Sequence, residues 1–347
     1  MKNHIFFKIL FVISTFVSAK ENDFIDINLD ETRPKYVTNL GIMPYPDSYL
    51  HIYALPVGDG DATLIQCPGG ELIVIDMGTS STGAGWSSYQ VKTWMGNNVD
   101  LVSTIIVTKG SADHYNYIPS VFQSNMNINR IILGGKKDDY SSETFMSWIN
   151  QRTHVLEYVN GQEPCITNCR TAPPMCQGKN ETLKFRFLGA NLGSDADGRS
   201  LLLQLSARSG AFKMFFPGDF EGTDIENLVM NEWIWMGESI KSTHYKISNR
   251  GDGKKSNSFD FLKAINPKYA FTSSKYPSTS SGPECSTITR LLSLGSIGKR
   301  SRSGNYACFN SNANAIMQYT SWVYNIYSTS PYPNQNEILQ IDVPIYS

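Results

Sequence analysis

Histidine is scarce in this chain, with five residues in 347, so an imidazole-based metal or acid–base centre has few places to form. An excess of charge of either sign is also missing. Thirty Lys and Arg stand against 31 Asp and Glu, a formal net charge of −1. That balance removes any global attraction to nucleic acid or to an anionic membrane and leaves only local patches for such roles. No run of about 18 apolar residues occurs, so no segment has the length of a membrane-spanning helix. Short-period repeats are lacking, which argues against solenoids and propellers. Gly58-Asp59-Gly60-Asp61 is not followed by Gly-Lys-Ser/Thr and is therefore not a phosphate loop. What is present is globular: 41% apolar, 12% aromatic and 18% charged residues, with enough material for a core and no disordered bulk. The length suits one large or two ordinary domains.

The N-terminus carries Lys2 and Lys8, a mostly apolar stretch from Ile9 to Val17, and the small-residue sequence Val17-Ser18-Ala19. This pattern predicts a secretory signal peptide over residues 1–19 and a secreted, extracellular protein. A polar, proline-punctuated lead-in is expected over 20–47 and the folded domain over 48–347. The six cysteines are Cys67, Cys165, Cys169, Cys176, Cys285 and Cys308; an even count in a secreted chain implies disulfides. The sequence points to a local bridge within Cys165, Cys169 and Cys176 and to a pair between Cys285 and Cys308. A metal knuckle is the weaker alternative, since no histidine stands near the three clustered cysteines. The sequon Asn180-Glu181-Thr182 marks a glycosylation site on an exposed loop.

Apolar runs bounded by turn residues predict strands at 49–55, 62–67, 71–76, 103–108 and 131–133 in the first half. In the second half they predict strands at 183–188, 200–205, 212–216, 238–242, 269–273 and 337–343. Helices are expected near 89–95, 141–150 and 221–231. Strands followed by strand–helix alternation, in two comparable halves, predict a layered α/β protein with two sheets. Trp233-Ile234-Trp235-Met236 is expected to pack in the core or between layers rather than to stack bases.

Polar residues cluster where these strands end. Lys109-Gly110-Ser111-Ala112-Asp113-His114 follows one strand and Pro217-Gly218-Asp219 another. The strand expected near Ile240 leads into His244-Tyr245, and a fourth ends in Asp76-Met77-Gly78. Rigid strand ends place such side chains in a common crevice. Asp113, His114, Asp219 and His244 are the carboxylate and imidazole set that a borderline divalent ion prefers. Such an ion would polarise an ester or phosphoryl oxygen and acidify its bound water.

In this order, Val57–Ile65, Val74–Gly78, Thr108–His114, Pro217–Asp219 and Ile240–His244 resemble the metallo-β-lactamase superfamily. The branch most resembled is the ComEC-type extracellular domain of competence DNA-uptake channels, which Ser200–Leu203 and Leu262–Ala270 also resemble. The resemblance implies a four-layer αβ/βα sandwich, with two facing mixed sheets, helices outside and a site at one edge. The family's motif after the Thr108 strand is Thr-His-x-His/Asp-x-Asp-His. Here Lys109 and Ser111 stand at its first two ligand positions. Asp113 and His114 match the second-site ligands, Asp219 the bridging carboxylate and His244 the last histidine. The usual His-His-Gly falls on Thr243-His244-Tyr245, and Tyr276-Pro277 stands where the branch often has His-Pro.

These departures imply loss of the first metal site. The expected function is a mononuclear metal-dependent hydrolase of phosphodiesters or other esters. It would hold one zinc or manganese ion on Asp113, His114, Asp219 and His244 and act on a small or polymeric extracellular substrate. Asp113 and Lys109 are its candidate catalytic groups, supported by Asp76 and Ser111. The alternative is an inactive pseudoenzyme, without metal, that binds a partner outside the cell. The Lys109 ammonium donates and does not ligate while charged. It either stabilises an oxyanion in place of the missing ion or neutralises Asp113 or Asp219 as a buried countercharge, the second being preferred. Lys299-Arg300-Ser301-Arg302, Lys254-Lys255 and Lys136-Lys137 would form a nucleic-acid face only if they shared one side.

Overall fold

The computed structural model describes residues 31–345 apart from 38–40, 43–46, 81–84, 97–101, 124–125, 153–155, 170–174, 177–182, 254, 275–281, 298–305, 320–324 and 330–336. The expected signal segment, the sequon at Asn180, Tyr276-Pro277, Lys254 and the basic run 299–302 lie outside the described residues.

Along the first half run strands β1 (Lys35–Val37), β2 (Tyr49–Ala54), β3 (Ala62–Gln66), β4 (Leu72–Met77), β5 (Val102–Val107), β6 (Ile131–Leu133) and β7 (Leu156–Tyr158). Helices α1 (Ser88–Met95), α2 (Ala112–Tyr115), α3 (Ile118–Val121) and α4 (Glu143–Asn150) are interspersed among them. The second half contributes β8 (Lys184–Gly189), β9 (Leu202–Ala207), β10 (Phe212–Phe216), β11 (His244–Lys246), β12 (Tyr269–Thr272), the hairpin β13 (Tyr306–Asn310) and β14 (Ala315–Tyr319), and β15 (Ile326–Ser328). Its helices are α5 (Thr223–Trp235), α6 (Phe259–Ile265) and α7 (Cys285–Ser293); β16 (Ile338–Pro344) returns to the first sheet. The first sheet has the order β1-β16-β2-β3-β4-β5-β6-β7 and the second β15-β12-β11-β10-β9-β8. Strands β4 to β7 are parallel, as are β10, β11, β12 and β15. Both sheets are therefore mixed.

Alternation along each strand sets the layers. In β4, Ile73 and Ile75 face the second sheet, where they join Phe185, Leu203, Met214 and Phe216 in one buried cluster. Leu72 and Val74 point the other way, against Val91 and Met95 of α1 and Phe145 and Trp148 of α4. On the far side, Leu202, Phe215 and Tyr245 pack against Val229 and Trp233 of α5, Phe261 and Leu262 of α6 and Ile288 of α7. Three apolar seams separate helix, sheet, sheet and helix, giving the αβ/βα sandwich. Strands buried on both faces read as continuous apolar runs, which is why β4 and β5 were visible in the sequence.

Two expectations are corrected. No strand forms over 238–242. Side chains bind the carbonyls a neighbouring strand would have used: Arg186 donates to that of Ser239, and Gln204 to those of Ile240 and Lys241. Strand β11 begins only at His244. The expected lead-in joins the fold well before residue 48: β1 pairs with β16, Thr32 is buried, and Ile42 lies in the helix-side core of the first sheet.

All six cysteines are paired, as Cys67–Cys176, Cys165–Cys169 and Cys285–Cys308. Cys67 was not among the sequence candidates, and Cys176 leaves the local cluster to reach it. The first bridge closes a span of 109 residues and the second a span of 4. Replacing Cys67 and Cys176 together by Ala is expected to lower the unfolding free energy by about 3–5 kcal/mol in urea titrations, and replacing Cys165 and Cys169 by clearly less.

Candidate functional site

The crevice forms where the carboxyl ends of β4, β5, β10, β11 and β12 meet. At the end of β4, Ala62 pairs with Met77 but Thr63 with Ile75, so Asp76 is an extra residue in the ladder, at φ +56°. Aspartate tolerates this left-handed backbone better than a bulky or β-branched side chain would. The bulge turns its carboxylate towards β5, where it accepts hydrogen bonds from the Thr108 backbone N–H and the Thr108 hydroxyl, each at 2.6 Å. The loop before β3 lies against the neighbouring backbone. A Cβ on Gly60 would sit 2.1 Å from the Gly78 carbonyl oxygen, and one on Gly78 would sit 2.6 Å from that of Ala112. This close approach brings Asp61 into the crevice.

His114 is fully buried at the centre. Its Nδ1 lies 3.1 Å from Asp76 Oδ2, and its Nε2 lies 3.2 Å from Asp219 Oδ2 without hydrogen-bond alignment. Burial opposes a charge on this ring. Asp76 and Asp219 outweigh burial and raise its pKa well above the ordinary histidine value. Lys109 Nζ lies 3.4 Å from Asp219 Oδ2 and pairs with Asp197. Burial disfavours this ammonium too, but Asp219, Asp197 and Asp113 raise its pKa above the usual lysine range. Arg250, in the turn after β11, reaches Asp219 Oδ2 and Asp113 Oδ2, each at 3.4 Å. Lys246, the last residue of β11, places its ammonium 2.5 Å from Asp61 Oδ2, while Ser273 donates to the other Asp61 oxygen. Asp113 accepts from the Ser111 hydroxyl at 2.5 Å. Burial pushes the Asp113 and Asp219 carboxyls up, but their cationic neighbours, His114 foremost, bring both below the ordinary carboxylate value.

Asp76, Lys109, Ser111, Asp113, His114 and Asp219 thus converge at one rim. His244 does not join them. It starts β11 and lies between Phe212 and Tyr269, with ring centroids 4.9 Å away on either side. Its Nε2 donates to the Thr32 carbonyl at 2.8 Å, and its Nδ1 is 3.0 Å from Thr243 Oγ1. Burial lowers its pKa to about 4 and keeps it neutral. It is a core histidine because the strand begins later than its sequence suggests. The side chain that reaches the rim on the same face is Lys246, two residues on. Past it, the turn Ser248–Gly251 brings Arg250 to the same rim. Asp61, Asp197, Lys246 and Arg250 were missed. Only Asp61 left a signal, in Gly58-Asp59-Gly60-Asp61 at the head of β3.

Among the described residues, Asp61, His114 and Asp219 form the one group of three whose ligand atoms, within 4.8 Å of one another, could hold a metal ion. Asp113 is not in that group, so the expected four-ligand set of Asp113, His114, Asp219 and His244 does not assemble.

No protein-family model and no curated protein matches the chain. Several solved structures are similar to it in outline. The metallo-beta-lactamase fold protein YhfI from Bacillus subtilis has a TM-score of 0.41 at 10% identity, covering 71% of this chain and 93% of that one. CmlA, a diiron beta-hydroxylase from Streptomyces venezuelae, has a TM-score of 0.40 at 12% identity, covering 66% and 45%. Unliganded yeast PDE1 has a TM-score of 0.39 at 11% identity, covering 71% and 94%. Likeness at this level leaves function to this chain's own residues.

Removing one partner of a buried ion pair strands the other charge, whereas removing both is far milder. Lys246→Met is therefore expected to cost about 3–5 kcal/mol in urea unfolding, and Asp61→Asn added to it is expected to restore much of the loss. His244 has a folded pKa of about 4, below its unfolded value, so the unfolded chain takes up the proton first as pH falls. Its contribution is constant above about pH 6.5 and is lost between about 6.5 and 4, amounting to about 3 kcal/mol. His244→Gln is expected to remove that component from the stability–pH curve.

Proposed function

We propose that this chain is a noncatalytic binding protein of an oxidising, extracellular compartment, in which the rim crevice is filled by the protein's own cations. The carrying observation is the Lys246 ammonium, buried at 2.5 Å from Asp61 Oδ2. Lys109 and Arg250 do the same for Asp219. The resemblance in sequence implies metal ions at this place, and the residues present do not fit a resident divalent ion. A metal–oxygen length near 2.0–2.2 Å would hold the ion within about 5 Å of Lys246 Nζ. Two unit charges about 4 Å apart repel by about 4 kcal/mol at an effective dielectric constant of about 20, and a divalent ion doubles that. Lys109 and Arg250 add to the repulsion at Asp219. The pairing of all six cysteines supports the compartment, because disulfides persist where thiols are not kept reduced.

A second reading keeps the mononuclear hydrolase. It is favoured by the grouping of Asp61, His114 and Asp219, and by Asp219 Oδ1 and His114 Nε2, which make no hydrogen bond among the described residues.

Elemental analysis of the purified chain separates the two, together with a phosphodiester hydrolysis assay in the presence of zinc or manganese. Substoichiometric metal and no turnover are expected. One ion per chain, lost in Asp219→Ala and accompanied by metal-dependent hydrolysis, overturns the proposal. The variant Lys109→His, Lys246→Ala, Arg250→His is expected to bind a divalent ion that the natural chain does not.

A further inference from the structure

Helix α5 ends in an apolar tip that stays exposed among the described residues. Trp233 serves the core: it is buried, donates from Nε1 to the Leu188 carbonyl at 2.9 Å, and carries the Arg186 guanidinium 4.6 Å from its ring centre. The next three residues, Ile234, Trp235 and Met236, are 62%, 81% and 52% exposed, and Leu228, two turns back on the face of Trp235, is also exposed. The expectation that all four residues of Trp233–Met236 pack inside is corrected for the last three. Helix α5 leaves the carboxyl end of β10 and returns to the amino end of β11, so this tip lies at the end of the second sheet away from the crevice.

That end of the sheet is basic. Lys184 and Arg186 alternate with the inward-facing Phe185 and Phe187 of β8, so they lie on its helix-facing side; Lys213 does the same between Phe212 and Met214 of β10. Lys241 is exposed on the segment that follows the tip. Arg186 joins this basic group to the tip, since it pairs with Glu238 and donates to the Ser239 carbonyl immediately after it. Burial, with the nearby charges of Arg186 and Lys241, lowers the Lys213 pKa, as crowded like charges do. Among the described residues, Glu232 and Glu238 are the acids of this region.

We propose that this tip and its basic border form a docking surface for an anionic lipid bilayer. Tryptophan with aliphatic neighbours settles at the boundary between headgroups and acyl chains, and lysines beside it add attraction to anionic headgroups. The near-neutral charge of the whole chain makes this attraction local, so it responds to salt and to single charge changes. The surface is remote from the crevice, and its test does not depend on whether the crevice holds metal.

The test is co-sedimentation of the purified chain with phosphatidylcholine vesicles, with and without phosphatidylserine. Wild type is compared with Trp235→Ala and Lys241→Glu on the same N-terminus, with circular dichroism as the folding control. Binding is expected to require phosphatidylserine and to fall with added salt. It should weaken at least about tenfold in Trp235→Ala and about fivefold or more in Lys241→Glu. Equal binding to both vesicle types, or unchanged binding in folded Trp235→Ala, overturns the proposal. So does self-association in sedimentation velocity that Trp235→Ala abolishes, which would assign the tip to a second copy of the chain.

Discussion

Asp219 is the constraint around which the crevice is arranged. Its carboxylate lies at the end of β10, 1% exposed, and a buried anion persists only with countercharge close by. One of its oxygens has His114, Lys109 and Arg250 within 3.2–3.4 Å. The three cations come from both halves of the chain, so the two sheets are tied at the rim by charge as well as by the apolar seam between them. Asp61 and Lys246 repeat the device: an anion from the loop before β3 meets a cation from β11 across 185 positions of sequence.

The backbone around these charges is shaped to deliver them. The Asp76 bulge and the Gly60–Gly78 approach are local departures from regular strand geometry. Each brings a carboxylate where the pleat alone would not. The segment between β8 and β9 meets the rim through ion pairs: Asp197 pairs with the Lys109 ammonium, while Arg199 forks onto Asp139, after β6.

The layering and most strands were legible because strands buried on both faces must be apolar along their whole length, as in Leu72–Ile75 and Ile105–Val107. The residues directly after β5 and β10 were legible for the same reason, since a sharp apolar-to-polar change marks the strand end. The end of β11 was not. Its residues are His244, Tyr245 and Lys246, buried but too polar to read as an apolar run. The segment before them looked more strand-like while its carbonyls were already taken by Arg186 and Gln204. That error moved the rim residue from Lys246 to His244. Lys109 was legible as a countercharge because it stands in the polar run directly after β5, but Lys246 and Arg250 were illegible for a different reason. A lysine or arginine in sequence reads as solvated surface, and only the distant carboxylate that meets it shows that it is buried.

A carboxylate cluster neutralised by ammonium groups makes the folded state depend on different conditions from one neutralised by a bound ion. A metal centre links folding to the supply of the ion and to deprotonation of its ligands. Lys246, Lys109 and Arg250 arrive with the chain, so Asp61 and Asp219 meet their countercharges as soon as β3, β5, β10 and β11 are in register. The carboxylates reinforce the charge they meet, holding the pKa values of Lys109 and Arg250 above their ordinary ranges. Each ammonium takes up one carboxylate oxygen of the rim, on Asp61 or on Asp219, while Asp219 Oδ1 makes no hydrogen bond among the described residues. Ion pairs between the two halves of the chain tie the ends of the two sheets together at the rim.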